Sequence, residues 1–131
     1  MTDRPALDLL RLPKRADFLR ANSGARAATP SFVLLEMPSA APRPDAARVG
    51  FTATKKLGNA VIRNRARRRL REAVRLSFPA NAQGGHDYVV IARSEALTRA
   101  FPMLVEDLKQ ALAKTRRARP KTPRPPPEPE S

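Results

Sequence analysis

Between Lys55 and Arg75 the chain reads KKLGNAVIRNRARRRLREAVR, with nine basic side chains (Lys55, Lys56, Arg63, Arg65, Arg67, Arg68, Arg69, Arg71 and Arg75) against a single acid, Glu72. The chemistry open to such a run is anion binding. A guanidinium pairs two phosphate oxygens through a rigid fork and stacks on bases through its flat face. Many of them on one surface release counterions from a polyanion together. An Arg run on a helix is ordinarily a solvated face, but a net +8 over these residues sets like charges one turn apart and destabilises the helix unless an anion is bound. Lys55 and Lys56 stand just ahead of Gly58-Asn59, a helix start. There Asn59 can cap an orphan N–H, and the free N–H groups favour phosphate.

Hydrolytic chemistry has no comparable support. The twelve acids are scattered over loops, helix surfaces and tail, with no DxD, no HExxH and no carboxylate pair at a strand end. A two-metal nuclease needs several carboxylates converging on one pocket, so the sequence offers neither catalytic nor metal-ligating residues. His86, the single histidine, falls in the Gly-rich link 81–86 and reads as a solvent-exposed filler. Gly84-Gly85 reads as a turn, not a phosphate loop. The absence of Cys removes disulfides and thiolate metal sites and fits a reducing compartment. No segment approaches the roughly 20 apolar residues of a membrane span, and the N-terminus lacks a signal pattern; a soluble, cytoplasmic protein is expected. The net charge of +14 calls for an anionic partner. Nucleic acid fits better than a membrane surface, because no wide apolar face is left to enter lipid.

The elements that must position these groups follow from periodicity. At 100° per residue Ile62, Ala66, Leu70, Ala73 and Val74 form one stripe of a helix ending near Ser77. Asn64, Arg68, Arg71 and Arg75 lie opposite, Arg65 and Arg69 flank them, and Arg63 and Arg67 border the stripe. Pro13 and Gly24 bracket a first helix over 14–22, and Pro102 opens a last one reaching Lys114. Residues 31–37, 48–54 and 87–92 read as strands. The first two are expected to be an antiparallel pair across the Pro-rich loop 38–45, the last two parallel neighbours joined by the basic helix. The order α-β-β-α-β-α gives an α+β fold, one small mixed sheet with packed helices, over 11–114. Residues 1–10 are expected to be loose and 115–131 a disordered Pro-rich basic tail. Phe18 admits two readings, core packing under the first helix or a stacking platform for single-stranded bases; Phe51 and Tyr88 read as core.

The run Arg48 to Glu72, with Arg63-Asn64-Arg65 preceded by Lys-Lys-x-Gly-Asn-Ala-Val, resembles the signature of the bacterial ribonuclease P protein subunit. The resemblance extends to Arg11-Leu12, Asp17-Phe18, Phe32-Val33-Leu34 and Tyr88 to Arg93. It implies a subunit without catalytic residues, assisting an RNA enzyme that removes the 5′ leader of precursor tRNA with Mg²⁺ bound mainly by the RNA. It implies no obligate protein partner. It also implies a left-handed crossover through the basic helix, where the general rule favours a right-handed one. Carried over by position, Lys55, Lys56, Asn59, Arg63, Asn64, Arg65, Arg67, Arg68 and Arg71 would contact the catalytic RNA. Lys14, Arg15, Phe18 and Asn22 would line a cleft for the leader. Asn22 stands where many relatives have a second aromatic and Leu35 where some have Tyr, which shifts leader binding from stacking toward charge. Three rival classes share the composition. They are a general RNA-binding or ribosomal protein, a DNA-binding module (no helix-turn-helix spacing supports it) and a stand-alone nuclease, disfavoured by the carboxylates.

Overall fold

The computed structural model describes residues 8–12, 15–40 and 43–117. Its elements in chain order are β1 (Asp8–Arg11), α1 (Arg15–Ala21), β2 (Ala25–Ala28), β3 (Phe32–Pro38), β4 (Ala46–Thr52), α2 (Ala60–Ser77), β5 (His86–Ala92) and α3 (Phe101–Arg117), with single 3-10 turns at Lys55–Leu57 and Ser94–Leu97. The strands form one mixed sheet in the order β1-β4-β5-β3-β2. The expected α+β architecture holds, with two more strands than the periodicity showed.

β5 takes the centre because Tyr88, Val89 and Val90 are buried whichever face they point to, as in a strand covered on both sides. It pairs parallel with β4 (Gly50 opposite Val89) and antiparallel with β3 (Leu34 opposite Val90). The expected β3–β4 hairpin is therefore wrong: β5 lies between them. Strands two places apart are only about 10 Å distant, which the stretch 39–45 spans easily. The parallel β4–α2–β5 unit is as expected.

The other two strands fall at the edges. Residues 8–10, expected to be loose, pair in parallel with β4 from Asp8 opposite Ala46 to Arg11 opposite Val49. β2 lies antiparallel to β3 and buries Ala25 and Ala27; alanine carries little strand propensity and so gives no signal. α3 runs to Arg117, three residues past the expected domain end at Lys114, because Thr115 is buried and continues the stripe of Leu104, Leu108, Ala111 and Leu112. The remainder of the tail and residues 1–7 lie outside the described residues.

Alternation along the strands divides the interior in two. Phe32, Leu34, Val49, Tyr88 and Val90 face α2 and α3, meeting Ala66, Leu70, Leu104 and Leu108. Val33, Leu35 and Val89 face the other way and are covered by Leu12 and Ala21, with Phe18 against them. A buried acid interrupts the first core. Glu36 accepts from Gln83 Nε2 (2.7 Å) and the Tyr88 hydroxyl (3.1 Å). His86 Nδ1 lies 2.9 Å from the same oxygen. Thus His86 is no exposed filler: it opens β5 and meets the Glu36 carboxylate of β3, while Gln83 ties the α2–β5 link to the same group. Burial pushes the Glu36 carboxyl up, but hydrogen bonds from His86, Thr115 and Gln83 outweigh this and leave it below its ordinary value. Burial, then the Glu36 charge, push Tyr88 well up, so its hydroxyl stays a donor.

Candidate nucleic-acid interface

α2 is built to expose one side. Gly58 closes the 3-10 turn at φ 149°, a conformation that favours glycine. Asn59 Oδ1 then accepts from Ile62 N at 3.0 Å, the expected N-cap. Ala66, Leu70, Ala73 and Val74 are buried as the stripe requires, and Ile62 is half-buried. Lys55, Lys56, Arg65 and Arg68 are exposed and have no partner among the described residues. Arg67 donates to Asn64 Oδ1 (2.7 Å), so the Asn of Arg63-Asn64-Arg65 orients a neighbouring guanidinium. Arg63 is half-buried, its Nε lacking an acceptor among the described residues.

Three other arginines of the helix are engaged within the protein. Arg69 donates to the carbonyls of Ala96 (2.6 Å) and Arg99 (2.8 Å), tying α2 to the start of α3. Arg75 pairs with Glu72. Arg71 lies with its guanidinium carbon 5.5 Å from the centroid of the Phe51 ring.

The opposite sheet face carries α1. The tip of the Phe18 ring meets Gly50, where a Cβ would come within 2.3 Å of it. Glycine is required at that position for the ring to reach the sheet. Between α1 and the strands runs a charge network that periodicity does not show. Arg48 of β4 forks onto Asp87 of β5 at 2.9 and 2.8 Å and lies 3.4 Å from Asp17. Arg20 lies 3.6 Å from Asp87 and donates to the Pro38 carbonyl. The hydrogen bonds to Asp87 raise the Arg48 pKa above its ordinary value against the opposing effect of burial. By alternation alone Arg48 is the polar side of a half-buried strand; the clue to its role is Asp87, an acid at the head of a β-prone run. Arg15 and Asn22 are exposed on and just after α1, and Leu35 is buried beneath it. Lys14 lies outside the described residues.

Phe18 and Arg71, assigned by sequence to different surfaces, line one groove of about 770 Å³ at the β1–β4 edge. Phe51, expected in the core, is half-buried there.

A mixed sheet whose crossover helix presents unpaired cations, beside a groove at the β1–β4 edge, defines a small basic nucleic-acid-binding domain. The Ribonuclease P family model matches residues 8–116. The chain is 53% identical over 110 residues to the ribonuclease P protein component of Paramagnetospirillum magneticum, covering 82% of this chain and 83% of that one. It is 45% identical over 116 residues to that of Erythrobacter litoralis, covering 88% and 90%. Among solved structures it resembles the RNase P proteins of Staphylococcus aureus (31% identity, TM-score 0.64, 80% of this chain and 95% of that one) and Thermotoga maritima (30%, 0.65, 83% and 98%). The chain belongs to the ribonuclease P protein family.

Proposed function

We propose a division of labour within this accessory subunit of ribonuclease P. The outer side of α2, with Lys55, Lys56, Asn59, Arg63, Asn64, Arg65, Arg67, Arg68 and Arg71, grips the catalytic RNA. The cleft between α1 and the sheet, with Lys14, Arg15, Phe18 and Asn22, holds the 5′ leader of precursor tRNA. The observation that carries this reading is the sorting of cations. Arg48, Arg69 and Arg99 are tied to acids or carbonyls, whereas Lys55, Lys56, Arg65 and Arg68 are left for phosphate on one helix and the turn before it. Among the described residues no group of three or more His, Cys, Asp or Glu could hold a metal ion. In this reading the Mg²⁺ that hydrolysis requires is held mainly by the RNA. A cysteine-free chain working on tRNA precursors fits the reducing cytoplasm.

The test is reconstitution with a bacterial ribonuclease P RNA at low Mg²⁺, comparing precursor tRNAs with long leaders and without. Cleavage should need both protein and RNA; cleavage by the protein alone would overturn the reading. Phe18→Ala should raise KM for the long-leader substrate by about tenfold and barely affect the leaderless one. Equal changes on both would assign Phe18 to packing against Gly50 alone.

A further inference from the structure

The groove at the β1–β4 edge exists because β1 stops early. Arg11 is the last paired residue, opposite Val49, while β4 continues through Gly50, Phe51 and Thr52. The hollow past the end of β1 has Phe18 of α1 on one side and Arg71 and Arg75 of α2 on another, with Leu10 and Arg11 at its edge. About 770 Å³ is ample for a base and its sugar. The Arg71 guanidinium carbon lies over the Phe51 ring, 5.5 Å from its centroid, within cation–π range. A guanidinium held beside a ring can stack on a further flat group. Glu72 also lines the groove, paired with Arg75, which leaves Arg11 and Arg71 as the uncompensated cations of a rim suited to phosphate.

We infer that this groove is a nucleotide subsite for the leader. One unstacked leader nucleotide lays its base on the Arg71–Phe51 pair beside Phe18, and a flanking phosphate meets Arg11. The inference rests on the leader reading of the α1 cleft and extends that path around the end of β1. It moves Arg71 from the catalytic-RNA face to the substrate. The leader is the occupant because Phe18 belongs to both cleft and groove, so a strand leaving one enters the other. A recess of this size admits a single extruded base and excludes a duplex.

The test uses the reconstituted holoenzyme with precursor tRNAs carrying 4-thiouridine at one leader position each, cross-linked and mapped by mass spectrometry. One position should cross-link to peptides containing Phe51 or Arg71. Arg71→Leu should then raise KM for leaders that reach this position about tenfold more than for leaders truncated before it. Arg71→Lys, which keeps the charge without the plane, should restore little. Cross-links confined to residues 15–22, or equal KM changes for both leader lengths, would overturn the subsite and leave the α1 cleft standing. Groove peptides cross-linked only by thiolated catalytic RNA would overturn the choice of occupant. No protein cross-link from any leader position would remove the cleft reading and the subsite together.

Discussion

Neighbouring arginines in α2 do opposite work. Arg68 is exposed, with no partner among the described residues, and Arg69 satisfies two carbonyls near the start of α3. Replacing Arg65 and Arg68 with Ala should weaken binding to the catalytic RNA and reduce the salt slope of affinity by about one for each phosphate no longer neutralised, leaving the denaturation midpoint nearly unchanged. Arg69→Ala should reverse the pattern. It should lose about 1–3 kcal/mol of stability, read by chemical denaturation, with the salt slope retained. Helical spacing sets Arg69 on the flank of the outward face, but its acceptors lie 27 and 30 residues away and no local pattern marks them. Arg48 is illegible for the same reason, since its partner Asp87 is 39 residues distant and meets it only when β4 and β5 pair. Charge density marks the run 55–75 as a whole; it does not tell which of those cations cross-link the fold.

At the scale of elements, the long periodic ones are legible and the short ones are not. α2 and α3 carry enough apolar residues at one period to identify themselves, and β5 does so as a continuous β-prone run. β1 and β2, of four residues each, take their conformation from the strand beside them. α1 is of this dependent kind. With seven residues it is too short to be stable alone. It is held by Phe18 on Gly50, by Ala21 in the second core and by the Asp17–Arg48–Asp87–Arg20 network. Gly50→Ala puts a methyl where the Phe18 ring lies, and the ring must lift with its helix. Hydrogen exchange should show protection falling in residues 15–21 while α2 amides keep theirs. A uniform fall across both helices would mean that α1 is not a separate cooperative unit.

For the whole molecule, the two faces of the sheet differ in how they depend on acid. On the α2–α3 side Glu36 is a buried carboxylate whose folded pKa lies below its ordinary 4.5. A depressed carboxyl pKa adds stability above the unfolded value, and this is lost as pH falls through the folded one. The stability difference between the native chain and Glu36→Gln should therefore be level above about pH 5.5 and shrink steadily below it, measured by denaturant titration across pH 7 to 3. A difference that grew on acidification would mean that the neutral carboxyl is the favoured form. The strand order carries a last consequence, for synthesis. β4 and β3 flank β5, so the strand that joins the β1–β4 and β2–β3 halves is the last to leave the ribosome. A nascent chain released before His86 has its basic helix complete and its sheet in two unjoined pieces, each with an open edge where β5 belongs. Until those last strand residues emerge, the half-built chain is both cationic and adhesive, and the first macromolecule it meets is the ribosome's own RNA.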